Sequence, residues 1–134
     1  MSKNIENVSV IIPAKNFFDI FKKTFASIIN QNTIPNEIIV IDSSDNDNIK
    51  NFIIEQKKIF SKISLIYRHF SHAFPGEARN KGLEIAKNNI LAILDSKTTA
   101  KKSWLDNGLK KLKDCEVVFG ITQYKADTKY QKLL

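Results

Sequence analysis

The sequence predicts an α/β fold, a parallel sheet with helices packed on both faces. Three observations carry that expectation. Short apolar runs, at Val8–Ile12, Glu37–Ile41 and Ile90–Leu94, read as strands covered on both sides rather than half-exposed ones. Segments with helical spacing stand between them, the order that demands parallel strands joined by right-handed crossovers. Each run is followed by a proline or an aspartate, Pro13, Asp42 and Asp95, which puts polar chemistry at the carboxyl edge of the sheet. Open α/β sheets bind ligands at that edge.

Taken in order, Val8-Ser9-Val10-Ile11-Ile12 predicts a central strand stopped by Pro13, with Ala14-Lys15-Asn16 as its loop. Phe17, Ile20, Phe21, Phe25, Ile28 and Ile29 recur at helical spacing and predict an amphipathic helix to about Asn30. Gln31 to Asn36, containing Pro35, reads as a loop before the second buried strand, which delivers Asp42. Ser43 to Asn48 is turn chemistry, with Asp47 as the expected N-cap. Ile49, Phe52, Ile53, Gln56, Ile59 and Phe60 trace a second helix, and Lys62 to Tyr67 a third strand.

Pro75-Gly76 then punctuates the chain, and Glu77 suits the positive end of a new helix. Ala78, Gly82, Leu83, Ile85 and Ala86 give that helix a small-residue face suited to lying close on a sheet. Asn88-Asn89 breaks it, and Ile90–Leu94 hands Asp95 to a polar loop. Trp104, Leu105, Gly108, Leu109 and Leu112 share one side of a last helix, and Glu116–Gly120 reads as a fifth strand. The tail from Tyr124 to Leu134 has no core pattern.

Composition bounds the function. A chain of 134 residues makes one domain with a real core. The net charge of +7 favours polyanions, anionic lipid surfaces or phosphorylated small molecules; the bland alternative is a solvated lysine-rich surface. No basic cluster or aromatic-studded strand motif accompanies that charge, so nucleic acid is not an expected partner. The single cysteine, Cys115, rules out an intrachain disulfide and a zinc cluster; at the start of an apolar run it reads as a buried thiol. No apolar run approaches membrane-spanning length and the N-terminus lacks a signal-peptide pattern. The expectation is a cytoplasmic protein, with peripheral membrane contact left open by the charge. Neither a G-x-G-x-x-G nor a P-loop lysine motif is present, which weakens dinucleotide and nucleoside-triphosphate hydrolase readings. His69 and His72 lack an acidic or cysteine partner at usable spacing and read as loop histidines.

The segments VSVIIPAKN, EIIVIDSSDND, GEARNKGLEIA and NNILAILDSKT, in this order and spacing, resemble the family 2 glycosyltransferases of the GT-A fold. The resemblance covers Val8 to about Gly120 and implies a Rossmann-like, nucleotide-diphospho-sugar transferase architecture. It implies that Pro13, Ala14, Lys15, Asn16, Asp42, Gly76, Arg79, Asp95, Ser96 and Lys97 line a nucleotide-sugar site. Ala14, Lys15 and Asn16 would meet base or ribose, Asp42 a base N–H or ribose hydroxyl, and Arg79 the phosphates or a base carbonyl. It implies Mg2+ or Mn2+ as cofactor, with Asp95 meeting that metal, directly or through water, or the ribose. The family's second motif aspartate is here Lys97, and an ammonium cannot coordinate a cation. Asp45-Asn46-Asp47 fits the same Asp-x-Asp pattern but lies in the second loop and reads as turn and cap.

The implied function is transfer of a sugar from a nucleotide-diphosphate donor to a glycan or lipid-linked acceptor. Residues 1–134 would be the nucleotide-sugar-binding half, with the acceptor half and its catalytic base beyond them, so this chain alone would transfer no sugar. The alternative is a non-catalytic glycosyltransferase-like domain that binds nucleotides or serves as an interaction module.

Overall fold

The computed structural model describes residues 3–124. Among them four strands alternate with four helices: β1 (Asn4–Ala14), α1 (Phe18–Ile29), β2 (Thr33–Asp42), α2 (Asn48–Ile59), β3 (Ser64–His69), α3 (Pro75–Ile85), β4 (Ile90–Ile93) and α4 (Trp104–Lys111). All strand pairs are parallel, in the order β3-β2-β1-β4. The α/β expectation therefore holds, with β1 flanked by the strands that end in Asp42 and just before Asp95. Because β2 and β3 add to one side of β1 and β4 to the other, the switch point lies between β1 and β4.

The pleat of β1 separates two apolar layers. Val8, Val10, Ile12 and Ala14 join the cluster of Phe21, Phe25 and Ile28 from α1 and Ile49 and Ile53 from α2. Ile11 joins Ile39, Ile41 and Ala78 of α3 on the opposite face. The helices thus cover both faces, as right-handed crossovers require once the chain doubles back over β1. Phe21 and Ile28 are fully buried, each stabilising the fold by about 1.5–3 kcal/mol. Phe25 and Phe52 add an edge-to-face contact at 5.3 Å between α1 and α2.

Pro13 does not stop β1, which runs on to Ala14. The ladder explains why. Ile11 pairs with Ile93 and its carbonyl accepts from the Leu94 N–H at 3.0 Å. The next bond in a parallel ladder would need an N–H at position 13, which proline lacks. Pairing with β4 ends there, while pairing with β2 continues through Ala14↔Asp42. Pro35 also lies inside a strand, since β2 begins at Thr33 instead of following a loop through Asn36. It faces Glu6, where the register shifts, and proline is tolerated at such an irregularity.

Four further expectations are corrected. β4 is not covered on both faces: Ile90, Leu91 and Ile93 are 38%, 41% and 42% exposed. It pairs with β1 alone, and α3 packs on β1 and β2. Glu116–Gly120 forms no strand: it pairs with no described strand, and Val117 and Phe119 stay exposed. Cys115, on the same unpacked segment, is exposed rather than buried, its thiol donating to the Lys111 carbonyl at 3.1 Å. Asp47 holds the N-cap position of α2 without a side-chain cap bond; the Asn46 Oδ1 accepts the Asn48 N–H instead, at 3.1 Å. Smaller shifts put β3 at Ser64–His69 rather than Lys62–Tyr67. Apart from Tyr124, the tail expectation lies outside the described residues.

Candidate functional site

A cleft of about 500 Å³ opens at the switch point. Its walls are the end of β1 with the loop behind it (Pro13, Ala14, Lys15, Asn16, Phe17), the first turn of α3 (Pro75, Ala78, Arg79) and the loop after β4 (Asp95, Ser96, Lys97, Thr98), with Ser43 and Ala73 completing the lining. The cleft exists because β1 and β4 part company at Pro13, so the two loops diverge instead of pairing. Eight of the ten residues expected at the site therefore share one cavity.

The α3 wall is set by close packing. Ala78 and Gly82 are the buried residues of α3, one helical turn apart. A Cβ on Gly82 would collide with the Ile11 side chain, so the helix lies nearer β1 than any other residue would permit. Leu83, expected on the same face, stays half-exposed. Arg79 then reaches across the cleft, donating from Nη2 to Asp95 Oδ1 at 2.7 Å. Both side chains remain partly exposed, so water screens the pair and it contributes little to stability. An arriving anion can exchange with Asp95 for the guanidinium at small cost.

The β1 loop is bent and locked. Asn16 and Phe17 both have left-handed backbones, φ 56° and 51°. Asparagine tolerates that region; phenylalanine there is strained by roughly 1–2 kcal/mol. Hydrogen bonds to the loop after β2 hold the bend. The Asn16 N–H donates to Ser44 Oγ at 2.6 Å, the Asn16 amide donates to Asp45 Oδ2 at 3.2 Å, and its Oδ1 accepts the Asp45 N–H at 3.1 Å. Phe17, 59% exposed, consequently lines the cleft, and the Lys97 ammonium sits 4.1 Å from its ring centroid.

The loop after β4 is stitched to polar residues on α1 and just beyond its end. Thr24 Oγ1 donates to the Ser96 carbonyl at 2.8 Å, Ser27 Oγ accepts the Ala100 N–H at 3.0 Å, and the Gln31 amide donates to the Lys101 carbonyl at 2.6 Å. Gln31 Oε1 also accepts the Leu105 N–H at 3.0 Å, fixing the start of α4. Sequence reasoning missed Phe17, Thr24, Ser27 and Gln31 as supports of the site. For the last three, polar residues at three- and four-residue spacing, in line with the apolar stripe of α1 and its continuation, were the available signal.

Two expected residues do not reach the cleft wall. Asp42 is fully buried, and its oxygens accept from the Tyr67 hydroxyl at 2.7 Å and the Ser44 N–H at 2.9 Å. Pleat alternation puts Ile41 on the α3 face, so Asp42 turns to the opposite one. Burial first, then the hydrogen bond and charge of Asp42, then the charge of Asp47, push the Tyr67 phenol well above the ordinary tyrosine range. Gly76 is exposed, with open space where a Cβ would stand and no positive φ. A smaller cavity of about 310 Å³ lies beyond β2, between Asp45, Asp47, Lys50, Tyr67 and His69. The His69 ring nitrogen Nε2 meets the Ser44 carbonyl at 3.0 Å, and His72 is exposed in a turn.

A divalent cation fits this cleft poorly. Asp95 is the single carboxylate in its lining, against the cations Lys15, Arg79 and Lys97, and one of its oxygens is already held by Arg79. Magnesium and manganese are bound through carboxylate and other oxygens, not ammonium groups. Among the described residues no group of three His, Cys, Asp or Glu side chains stands ready to hold a metal.

Residues 9–133 match the protein family described as Glycosyl transferase family 2. The chain is 31% identical over 117 residues to the putative teichuronic acid biosynthesis glycosyltransferase TuaG of Bacillus subtilis (strain 168), covering 87% of this chain and 46% of that protein. In three dimensions it is similar to the mannosyltransferase PcManGT from Pyrobaculum calidifontis, solved with GDP-Man and Mn2+: TM-score 0.71, 22% identity, 83% of this chain and 33% of that one. It is also similar to S. aureus TarS 1-349 in complex with UDP-GlcNAc: TM-score 0.68, 22% identity, 83% of this chain and 32% of that one. At those identities the two structures share the fold, and the chain spans about half the length of TuaG and a third of each solved chain.

Proposed function

The chain belongs to glycosyl transferase family 2, and from that premise we propose that residues 1–134 form the donor half of an enzyme that moves a sugar from a nucleoside-diphosphate carrier to a glycan or lipid-linked acceptor. The observation that carries this reading is the convergence of Lys15, Arg79 and Lys97 on one cleft at the β1–β4 switch point. The nucleotide sugars in the two similar solved structures, GDP-Man and UDP-GlcNAc, indicate the ligand class.

In the proposed reaction the acceptor hydroxyl attacks the anomeric carbon while the bond from that carbon to the diphosphate breaks. The departing diphosphate takes the electron pair, and the hydroxyl proton goes to a base in the acceptor half. Arg79 and the first turn of α3 offset the charge that builds on the leaving group. Ala14, Lys15 and Asn16 are assigned to base and ribose, with Pro13 and Ser96 shaping the walls between. Asp42, with both oxygens engaged, is assigned to holding Ser44 and Tyr67 behind the cleft rather than to direct contact. Were a divalent metal to bind beside the diphosphate, it would supply Lewis-acid stabilisation there, and among the described residues of the lining Asp95 is the one carboxylate that would hold it. Among the described residues no helix is long and apolar enough to cross a membrane. A cytoplasmic enzyme touching anionic lipid through its +7 net charge would fit a lipid-linked acceptor.

Calorimetric titration with UDP and GDP tests the reading. Binding of at least one is expected, weakened about tenfold or more by Arg79→Ala, the loss of a charge-assisted hydrogen bond. No binding by either nucleotide would overturn it. The second reading, a nucleotide-binding domain without transfer, is favoured by Lys97 at the motif position of a carboxylate. Binding without donor turnover by the full-length protein, offered glycan and lipid-linked acceptors, decides for it.

A further inference from the structure

We propose that Lys97, carried on the ring of Phe17, takes the place of a divalent cation beside the donor diphosphate, so that this cleft binds nucleoside diphosphates without metal. The proposal rests on the reading of the cleft as a donor site and adds how the charge is neutralised there.

The lining of the cleft is built for an anion. Lys15, Arg79 and Lys97 against Asp95 leave a formal charge of +2, three cations minus one carboxylate. Arg79 already satisfies Asp95 Oδ1, so the acid is engaged by a protein cation. Lys97 has no carboxylate within ion-pair distance among the described residues. What confines it is Phe17, whose ring centroid lies 4.1 Å from the ammonium. A cation over an aromatic face gains about 0.5–1 kcal/mol at an exposed site. A free lysine samples many rotamers, at a cost of about 2 kcal/mol in entropy when it is fixed. The ring removes part of that cost before the ligand arrives, and it engages the ammonium by no more than a weak N–H···π contact, so donors remain for phosphate oxygens.

The backbone points the same way. Phe17 is held at φ 51°, a strained conformation for a bulky residue, directly after Asn16 at φ 56°. Three hydrogen bonds, two donated by Asn16 to Ser44 and Asp45 and one accepted from the Asp45 N–H, maintain the bend. The bend places the phenyl ring in the cleft lining while the next residue, Phe18, packs against the core. Strain held by surrounding bonds at a cleft marks a functional constraint. Phe17 is thus a positioning residue for Lys97, and Lys97 is the phosphate contact.

An ammonium is a point charge of one unit and not a Lewis acid, so two consequences separate it from a metal. Affinity for UDP and GDP should be the same in EDTA as in Mn2+, and it should fall with added salt. Calorimetry on the purified protein, with Lys97→Met, Lys97→Asp, Phe17→Leu and Phe17→Tyr, tests this. Lys97→Met should weaken binding on the order of tenfold in EDTA, as expected for loss of a charge-assisted contact. Phe17→Leu should weaken it about three- to fivefold and Phe17→Tyr should restore it, since tyrosine keeps the aromatic face. In the Lys97→Met background Phe17→Leu should have no further effect, which a merely structural role would not produce. Lys97→Asp should introduce a Mn2+ requirement. Binding by the wild type only with Mn2+, or unchanged affinity in Lys97→Met, overturns the proposal and leaves the donor-site reading standing. Absence of binding under every condition overturns both.

Discussion

Gly82 of α3 lies against Ile11 of β1 so closely that a Cβ on the glycine would overlap the Ile11 side chain. This contact sets the height of α3 above the sheet, and three residues earlier on the same helix Arg79 reaches Asp95 at 2.7 Å. Packing in the core and geometry at the cleft are one relationship. Gly82→Ala should therefore destabilise the fold by about 1–3 kcal/mol through overpacking, read as a fall in the urea midpoint. It should also lower affinity for UDP and GDP by lifting Arg79. Combined with Ile11→Ala, which opens the space, its cost should be smaller than when it is made alone. An alanine variant as stable as the wild type would show that the helix does not rest where the structure puts it.

Thr24 tests the stitching of the loop that carries Asp95 and Lys97. Its hydroxyl donates to the Ser96 carbonyl from a buried position on α1. Thr24→Val keeps the shape and removes the bond, at a cost of about 0.5–1.5 kcal/mol. Nucleotide affinity should fall although position 24 is not in the cleft lining, with hydrogen exchange rising at residues 96–98. Unaltered exchange there would mean that the bond does not hold the loop.

Glu37 sits at the other end of the sheet, buried without a cation. Its Oε1 accepts the Ser9 hydroxyl at 2.6 Å and the Lys87 N–H at 2.9 Å, and Asn88 donates to Ser9 Oγ at 3.0 Å. This network fastens the end of α3 to β1 and β2. Glu37→Ala leaves those donors without their acceptor and should cost about 1–3 kcal/mol for each group stranded. Glu37→Gln, which keeps an acceptor oxygen, should cost less. Both should leave nucleotide affinity within error, because the network lies at the amino edge; a parallel loss of affinity would contradict that separation.

Tyr67 gives the fold a pH dependence. Its phenol is raised above the ordinary value chiefly by burial, with Asp42 adding to it. A raised acid holds its proton longer folded than unfolded, so its contribution is complete below about pH 10, the unfolded tyrosine value. It falls as pH climbs from there toward the raised folded value. Tyr67→Phe should lose about 1–3 kcal/mol at neutral pH, since Asp42 Oδ2 loses its donor in a buried site. Its stability should then decline less steeply than the wild type's above about pH 10. Parallel alkaline limbs in the two proteins would rule out a role for this phenol.

Much of the architecture was legible in the residues because it depends on local patterns. Apolar runs at Val8–Ile12 and Glu37–Ile41, helical spacing from Phe17 to Ile29, and strand-end residues at Pro13, Asp42 and Asp95 are properties of neighbours in sequence. Topology rules convert that order into a parallel sheet with its chemistry at one edge. The tertiary structure alone decided which strand-end groups share a cavity. Asp42 and Asp95 look alike in sequence, each an acid after an apolar run. On β2 the pleat turns Asp42 toward Tyr67 and away from α3, whereas Asp95 lies past the end of β4 and meets Arg79. One residue of register would reverse the facing of a strand side chain, and no local pattern encodes which helix covers which face. The pairing of Phe17 with Lys97 and the exposure of β4 are decided in the same way, by which elements end up as neighbours in space.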